Sequence, residues 1–186
     1  NYSIDHEIVH TLFDDCYEMV HQRRTKPIES DPLEELGHLC HIGAAELLMP
    51  EEDFRADLAC LPFSLRSVLG LCARYDASRE AVARRMITLS TQPAALVFLS
   101  RRLKPTELRA GEKTNGACPL PRMRVLYAVL TSDFPTFLPK DKSVSDDSCV
   151  YRVTISDEIS AGREDWNLPG FGRWFVEAMA LPRPEE

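Results

Sequence analysis

The hydrophobic period of this sequence changes once, near Gln92-Pro93, and the change commits the chain to a helical first half and a strand-bearing second half. Before it, Ile4, Ile8, Leu12, Phe13, Tyr17 and Val20 recur mostly at three- and four-residue steps, which predicts an amphipathic helix over residues 2–24 with Ser3 as its N-cap. A second helix is expected from about Leu33 to Met49, stopped by Pro50. Two more follow over Ser64 to Tyr75 and Ser78 to Thr91, joined through Asp76-Ala77. After the change, residues 94–103, 122–131 and 149–155 are short apolar or β-branched runs between Pro, Gly, Asp and Lys. These read as strands of a small mixed or antiparallel sheet, with Phe171 to Leu181 as a fourth. The expected fold is α+β. Residues 1–103 form a helical domain, 104–121 a loop or linker rich in Gly and Pro, and 122–186 a small accessory domain.

A chain of 186 residues, 44% apolar and 27% charged, is long enough to bury about 70% of its unfolded surface. Its formal net charge is 22 − 29 = −7, which argues against a general electrostatic grip on nucleic acid or on an anionic membrane. No apolar run approaches the ~18 residues of a membrane span, and no signal-peptide pattern precedes the first helix, so a cytoplasmic protein is expected. The six cysteines are scattered without a Cys-x-x-Cys pair and are read as thiols. Cys40, Cys60 and Cys72 are expected on apolar helical faces. Beginning at Asn1 almost inside a helix, the chain reads as a fragment or a processed product. Trp166, Trp174, Phe171 and Phe175 are expected in the C-terminal core, and the arginine pairs are read as surface ion-pair formers.

One motif carries chemistry. His6-Glu7-Ile8-Val9-His10 is an HExxH sequence on a helix, so His6 and His10 lie one turn apart on one face and can bind the same ion. Glu7 beside them has the chemistry of a general base. Taken alone, the motif leaves open that two surface histidines merely flank an ordinary glutamate.

The stretch Tyr2-Ser3-Ile4-Asp5-His6-Glu7-Ile8-Val9-His10-Thr11-Leu12-Phe13 is followed by Leu39-Cys40-His41-Ile42-Gly43-Ala44-Ala45-Glu46-Leu47-Leu48-Met49-Pro50. In that order the two resemble the ImmA/IrrE family of metallo-endopeptidases (domain of unknown function 955), and the resemblance extends over roughly residues 2–103. It implies one catalytic Zn2+ held by His6 and His10, with Glu7 as general base. It also implies a helix-turn-helix transcriptional repressor as the substrate, cleaved to relieve repression.

The sequence departs from the family's pattern in three ways. The N-terminal strand region that packs over the catalytic helix is missing, which leaves a preceding segment or a partner chain to complete the fold. Asp5 and Val9 stand where small residues are common. The third zinc ligand, a glutamate three residues before the Cys of the second motif, corresponds to Gly37, which offers none. Glu34 and His41 share the helical face of position 37, and His41 is the first choice of substitute, with Glu34 as the rival. His38 and Glu35 point about 100° away. If neither substitutes, the chain is a degenerate peptidase scaffold acting as a sensor or protein-interaction module. Glu46 is read as a rim or salt-bridge residue, His21 as exposed, and Asp14 and Asp15 as a solvated face or a histidine-orienting pair. If the C-terminal half senses a ligand, the loops 104–121 and 157–169 are where it would bind.

Overall fold

The structure, a computed structural model, describes residues 2–12, 32–107, 120–153, 158–170 and 172–181. It is α+β, with helices first and strands in the second half. The chain forms two compact units, Asn1–Phe63 with Ser67–Leu89, and Ser64–Arg66 with Ser90–Glu186.

Five described helices precede the strands: α1 (Tyr2–His10), α2 (Pro32–Leu48), α3 (Glu51–Cys60), α4 (Leu65–Tyr75) and α5 (Arg79–Thr88). The expected continuation of the first helix beyond residue 12, with His21, Asp14 and Asp15, lies outside the described residues. Cys40, Ala44, Met49, Phe54, Val82 and Met86 supply buried apolar side chains in the first unit. Phe54 of α3 meets the Tyr75 ring at a centroid distance of 5.3 Å.

Pro50 stops α2 and at the same time starts α3, a helix the hydrophobic period does not announce. Two side chains tie this joint. Glu46 accepts the Glu51 amide N–H at 2.8 Å and pairs with Arg85 of α5. Arg85, only 8% exposed, also donates through Nε to the Met49 carbonyl at 3.1 Å. A cation thus meets the Met49 carbonyl just past the end of α2, where the helix dipole favours it. The Glu51 amide first, and Arg85 after it, hold the Glu46 carboxyl below the usual carboxylate range against a smaller opposing effect of burial. Glu46 is therefore the salt-bridge residue expected, whereas Arg85 is a buried cation and not a surface one. α5 begins with Ser78, whose Oγ accepts the Ala81 N–H at 3.1 Å, as its sequence suggests. Cys60 corrects an expectation: it is exposed, while Cys40 is buried.

In the second unit, β1 (Ala95–Arg102) pairs antiparallel with β2 (Arg122–Leu130), with an irregularity between Phe98 and Leu99. The other edge of β2 takes the segment around Ser143, through Val125 N–H to the Lys142 carbonyl and Val144 N–H to the Met123 carbonyl. β3 (Ile159–Glu164) pairs antiparallel with β4 (Trp174–Met179) in a separate two-stranded sheet. The single small sheet expected is therefore two. β3 occupies part of the expected 157–169 loop. Residues 149–152 of the expected third strand form a 3-10 turn instead, opened by Ser148, whose Oγ accepts the Val150 N–H at 3.2 Å. Because β1 pairs with β2, the units part at Leu89 and Ser90, ahead of residue 103. Of the 104–121 linker, residues 108–119 lie outside the described residues.

Val125, Leu138, Val144, Val150 and Trp166 make the core of this unit, with Trp174 packed against it. Trp174 stacks at a tilt on Phe134, with centroids 4.8 Å apart. Phe175 is 64% exposed and corrects the expectation that placed it inside. Alternation explains the difference, since successive residues of β4 face opposite sides and Trp174 takes the inner one. Phe171 lies outside the described residues.

Candidate metal centre

α1 packs against α2, and one pair of residues sets how closely. A Cβ built on Gly43 would stand 2.7 Å from Val9 Cγ1 and 2.9 Å from Cγ2. Only glycine admits Val9, itself 3% exposed, at that separation. The two motifs quoted above are thereby pressed together at one point. The valine that the resemblance marks as oversized is matched by the absence of a side chain opposite.

That contact has a measurable consequence. Gly to Ala inside a helix ordinarily gains up to about 1 kcal/mol. At Gly43 the sign should reverse to a loss of about 1–3 kcal/mol, because both methyls of a stiff valine block the new carbon. Gly37→Ala is the control, since nothing lies within 4 Å of a Cβ there, and it should stabilise. Denaturant unfolding of the single variants and of Gly43→Ala with Val9→Ala checks this, the double variant losing less than the two single losses added.

The seam also orders the donors. At about 100° per residue, positions 6 and 10 fall on one flank of Val9 and position 8 on the other. His10 is half-buried, and Glu7 and Ile8 are exposed. The side chains of His6 and Glu34 lie outside the described residues. On α2, His41 precedes Gly43 by two residues, about 200° around the helix, and is exposed. The face that meets α1 is therefore not the face that carries His41. Gly37 is open and supplies no donor.

Asp5 is a residue that sequence reasoning noticed only for its size. Its Oδ2 is sealed from solvent and has no hydrogen-bond partner among the described residues. A buried carboxylate oxygen of this kind has the chemistry to accept an N–H donor.

The donor types on α1 thus fit zinc. Among the described residues, however, no three His, Cys, Asp or Glu side chains converge to hold an ion. Comparison with protein-family models and with curated proteins finds no match to this chain.

Proposed function

We propose that the chain is a zinc-dependent endopeptidase of the ImmA/IrrE kind, acting in the cytoplasm on a helix-turn-helix transcriptional repressor. The observation that supports this reading is the Val9–Gly43 contact, which packs the HExxH helix directly on the helix carrying the second motif. His6 and His10 would hold the ion, with His41 or its rival Glu34 as the third ligand. When bound, zinc acidifies a water molecule and polarises the scissile carbonyl. Glu7 takes the proton from the attacking water and delivers it to the leaving amine nitrogen. Its exposure leaves it open to a substrate. No helix among the described residues is long and apolar enough to cross a membrane.

A second reading, a peptidase scaffold that only recognises its partner, is favoured by the missing donor at Gly37 and by the face on which His41 stands. Metal content decides between the two. Elemental mass spectrometry of the chain purified with excess zinc should find one zinc per chain, lost in His10→Ala. Loss in His41→Ala as well assigns the third ligand, and retention there sends it to Glu34. No zinc in the parent chain overturns the peptidase reading. In that case Gly37→Glu, which has open space for its side chain, should create binding where there was none.

A further inference from the structure

The second unit carries a pocket of about 200 Å³ that takes no part in the proposed peptidase chemistry. Its wall is built from three stretches of chain, the start of β2 at Arg122, the segment from Lys142 to Ser145, and the turn from Asp165 to Asn167. All three are held in place. The 142–144 segment is bonded to the edge of β2 through Val125 and Met123. The turn is anchored by the Trp166 indole N–H, which donates to Glu164 at 2.9 Å. It is closed by the Asn167 amide, which donates to Asp165 Oδ1 at 2.8 Å, with Asn167 in the left-handed region at φ 51°. The backbone of the wall is thus fixed by bonds that need no ligand, while the Arg122, Asp165 and Asn167 side chains on it are exposed.

Its charges are arranged unusually. Arg122 and Lys142 bring two positive groups and Asp165 one negative group to the same cavity. Arg122 forms no ion pair among the described residues. Lys142 makes only a 3.4 Å contact through Nζ to the Asn167 carbonyl. Neither cation forms an ion pair with Asp165, so the residues of this wall carry both signs of charge unpaired with each other. A plain anion would meet Arg122 and Lys142 favourably but would be repelled by Asp165. A plain cation would meet the reverse.

The geometry points to a binding site for a small zwitterion of amino-acid size, its carboxylate on Arg122 and Lys142 and its ammonium on Asp165. The pocket volume lies below the roughly 300–1,000 Å³ of sites for drug-sized ligands and suits a ligand of amino-acid size. Guanidinium matches a carboxylate with two parallel hydrogen bonds, so Arg122 supplies orientation as well as charge. The Ser143 hydroxyl on the same wall is a further donor or acceptor for the ligand. The site includes part of the 157–169 stretch, one of the two loops where a ligand would bind if the C-terminal half senses one.

Isothermal titration of the full chain tests this with glycine, serine and glutamine as zwitterions, and with acetate, methylammonium and inorganic phosphate as single-sign probes. At least one amino acid should bind saturably with a dissociation constant of about 1 mM or tighter, and the single-sign probes at least tenfold more weakly. Arg122→Gln and Asp165→Asn should each weaken amino-acid binding about tenfold or more. Asp165→Asn keeps the side-chain oxygen that accepts the Asn167 amide, so the turn survives. Acetate or phosphate bound as tightly as the amino acids, and unaffected by Asp165→Asn, would show an anion site and overturn the proposal. So would the absence of saturable binding by all three amino acids.

Discussion

Glu7→Gln is expected to leave the zinc content of the chain unchanged and to lower the rate of repressor cleavage by about 10²–10⁴-fold, the contribution of a positioned general base. The amide is nearly isosteric with the carboxylate but cannot take a proton from water. Glu7 is exposed on α1, so the exchange removes chemistry without disturbing packing. Cleavage of a co-encoded repressor, followed by gel electrophoresis beside metal analysis of the same sample, checks both halves of the statement. Full cleavage by the variant removes Glu7 from the mechanism. An inert parent chain that still binds the repressor, with Glu7→Gln binding equally well, gives the recognition reading instead.

The second large effect belongs to Glu164, at the end of β3. Its carboxylate accepts the Ser148 hydroxyl at 2.7 Å, the Cys149 amide at 2.6 Å and the Trp166 indole N–H at 2.9 Å. Ser148, Cys149 and Trp166 are all buried. Glu164→Ala therefore strands donors that water reaches poorly. Hydrogen bonds to a charged group contribute about 1.5–3 kcal/mol each and do not add fully, so a loss of about 3–5 kcal/mol in the second unit is expected by denaturant unfolding. Glu164→Gln keeps the shape but turns an NH2 toward a donor, and should lose less than alanine.

The same carboxylate gives a pH dependence of known sign. Burial pushes the Glu164 carboxyl upward, yet the Ser148, Cys149 and Trp166 hydrogen bonds outweigh it and hold the group below its ordinary value of 4.5. A folded value below the unfolded one means that the stabilisation is present above about pH 4.5 and is lost as pH falls through the folded value. Unfolding measured from neutral pH downward should show that loss in the parent chain, and the loss should be smaller in Glu164→Gln. Next to it, burial first and then the Glu164 carboxylate push the Cys149 thiol up to about 12, which leaves it protonated and unreactive at neutral pH.

The parts of the fold that could be read in advance are those whose signal is local. The apolar spacing before residue 92 announces α1, α2, α4 and α5, and Ser78 marks the start of α5. α3 escaped because its buried side rests on Phe54 alone, leaving almost no periodic stripe. Its remaining signal was a proline followed by three acids, Glu51, Glu52 and Asp53, in the first turn. Residues 149–152 have the composition of a strand, yet Ser148 capping and the Glu164 carboxylate bend them into a turn. That partner lies fifteen residues away and is invisible to a local pattern. β3 has the opposite history: Gly162 and polar neighbours disguise it. Arg152 bonds the Ser160 hydroxyl and the Ala161 carbonyl, at 3.0 Å each, ties between residues 8 and 9 positions apart that no local pattern shows.

The candidate site was legible to the same degree. The donor types and their one-turn spacing on α1 are properties of five consecutive residues. The closeness of α1 to α2 is a property of two residues 34 positions apart, and nothing local to either reveals it.

Val9 and Gly43 make that dependence heritable. What the seam preserves is the summed volume of the two positions and not the identity of either. Shortening residue 9 first leaves a cavity where two buried methyl groups stood, and enlarging residue 43 first drives a new carbon into those methyls. Either order therefore passes through a destabilised single variant, and the two positions are free to change only as a pair.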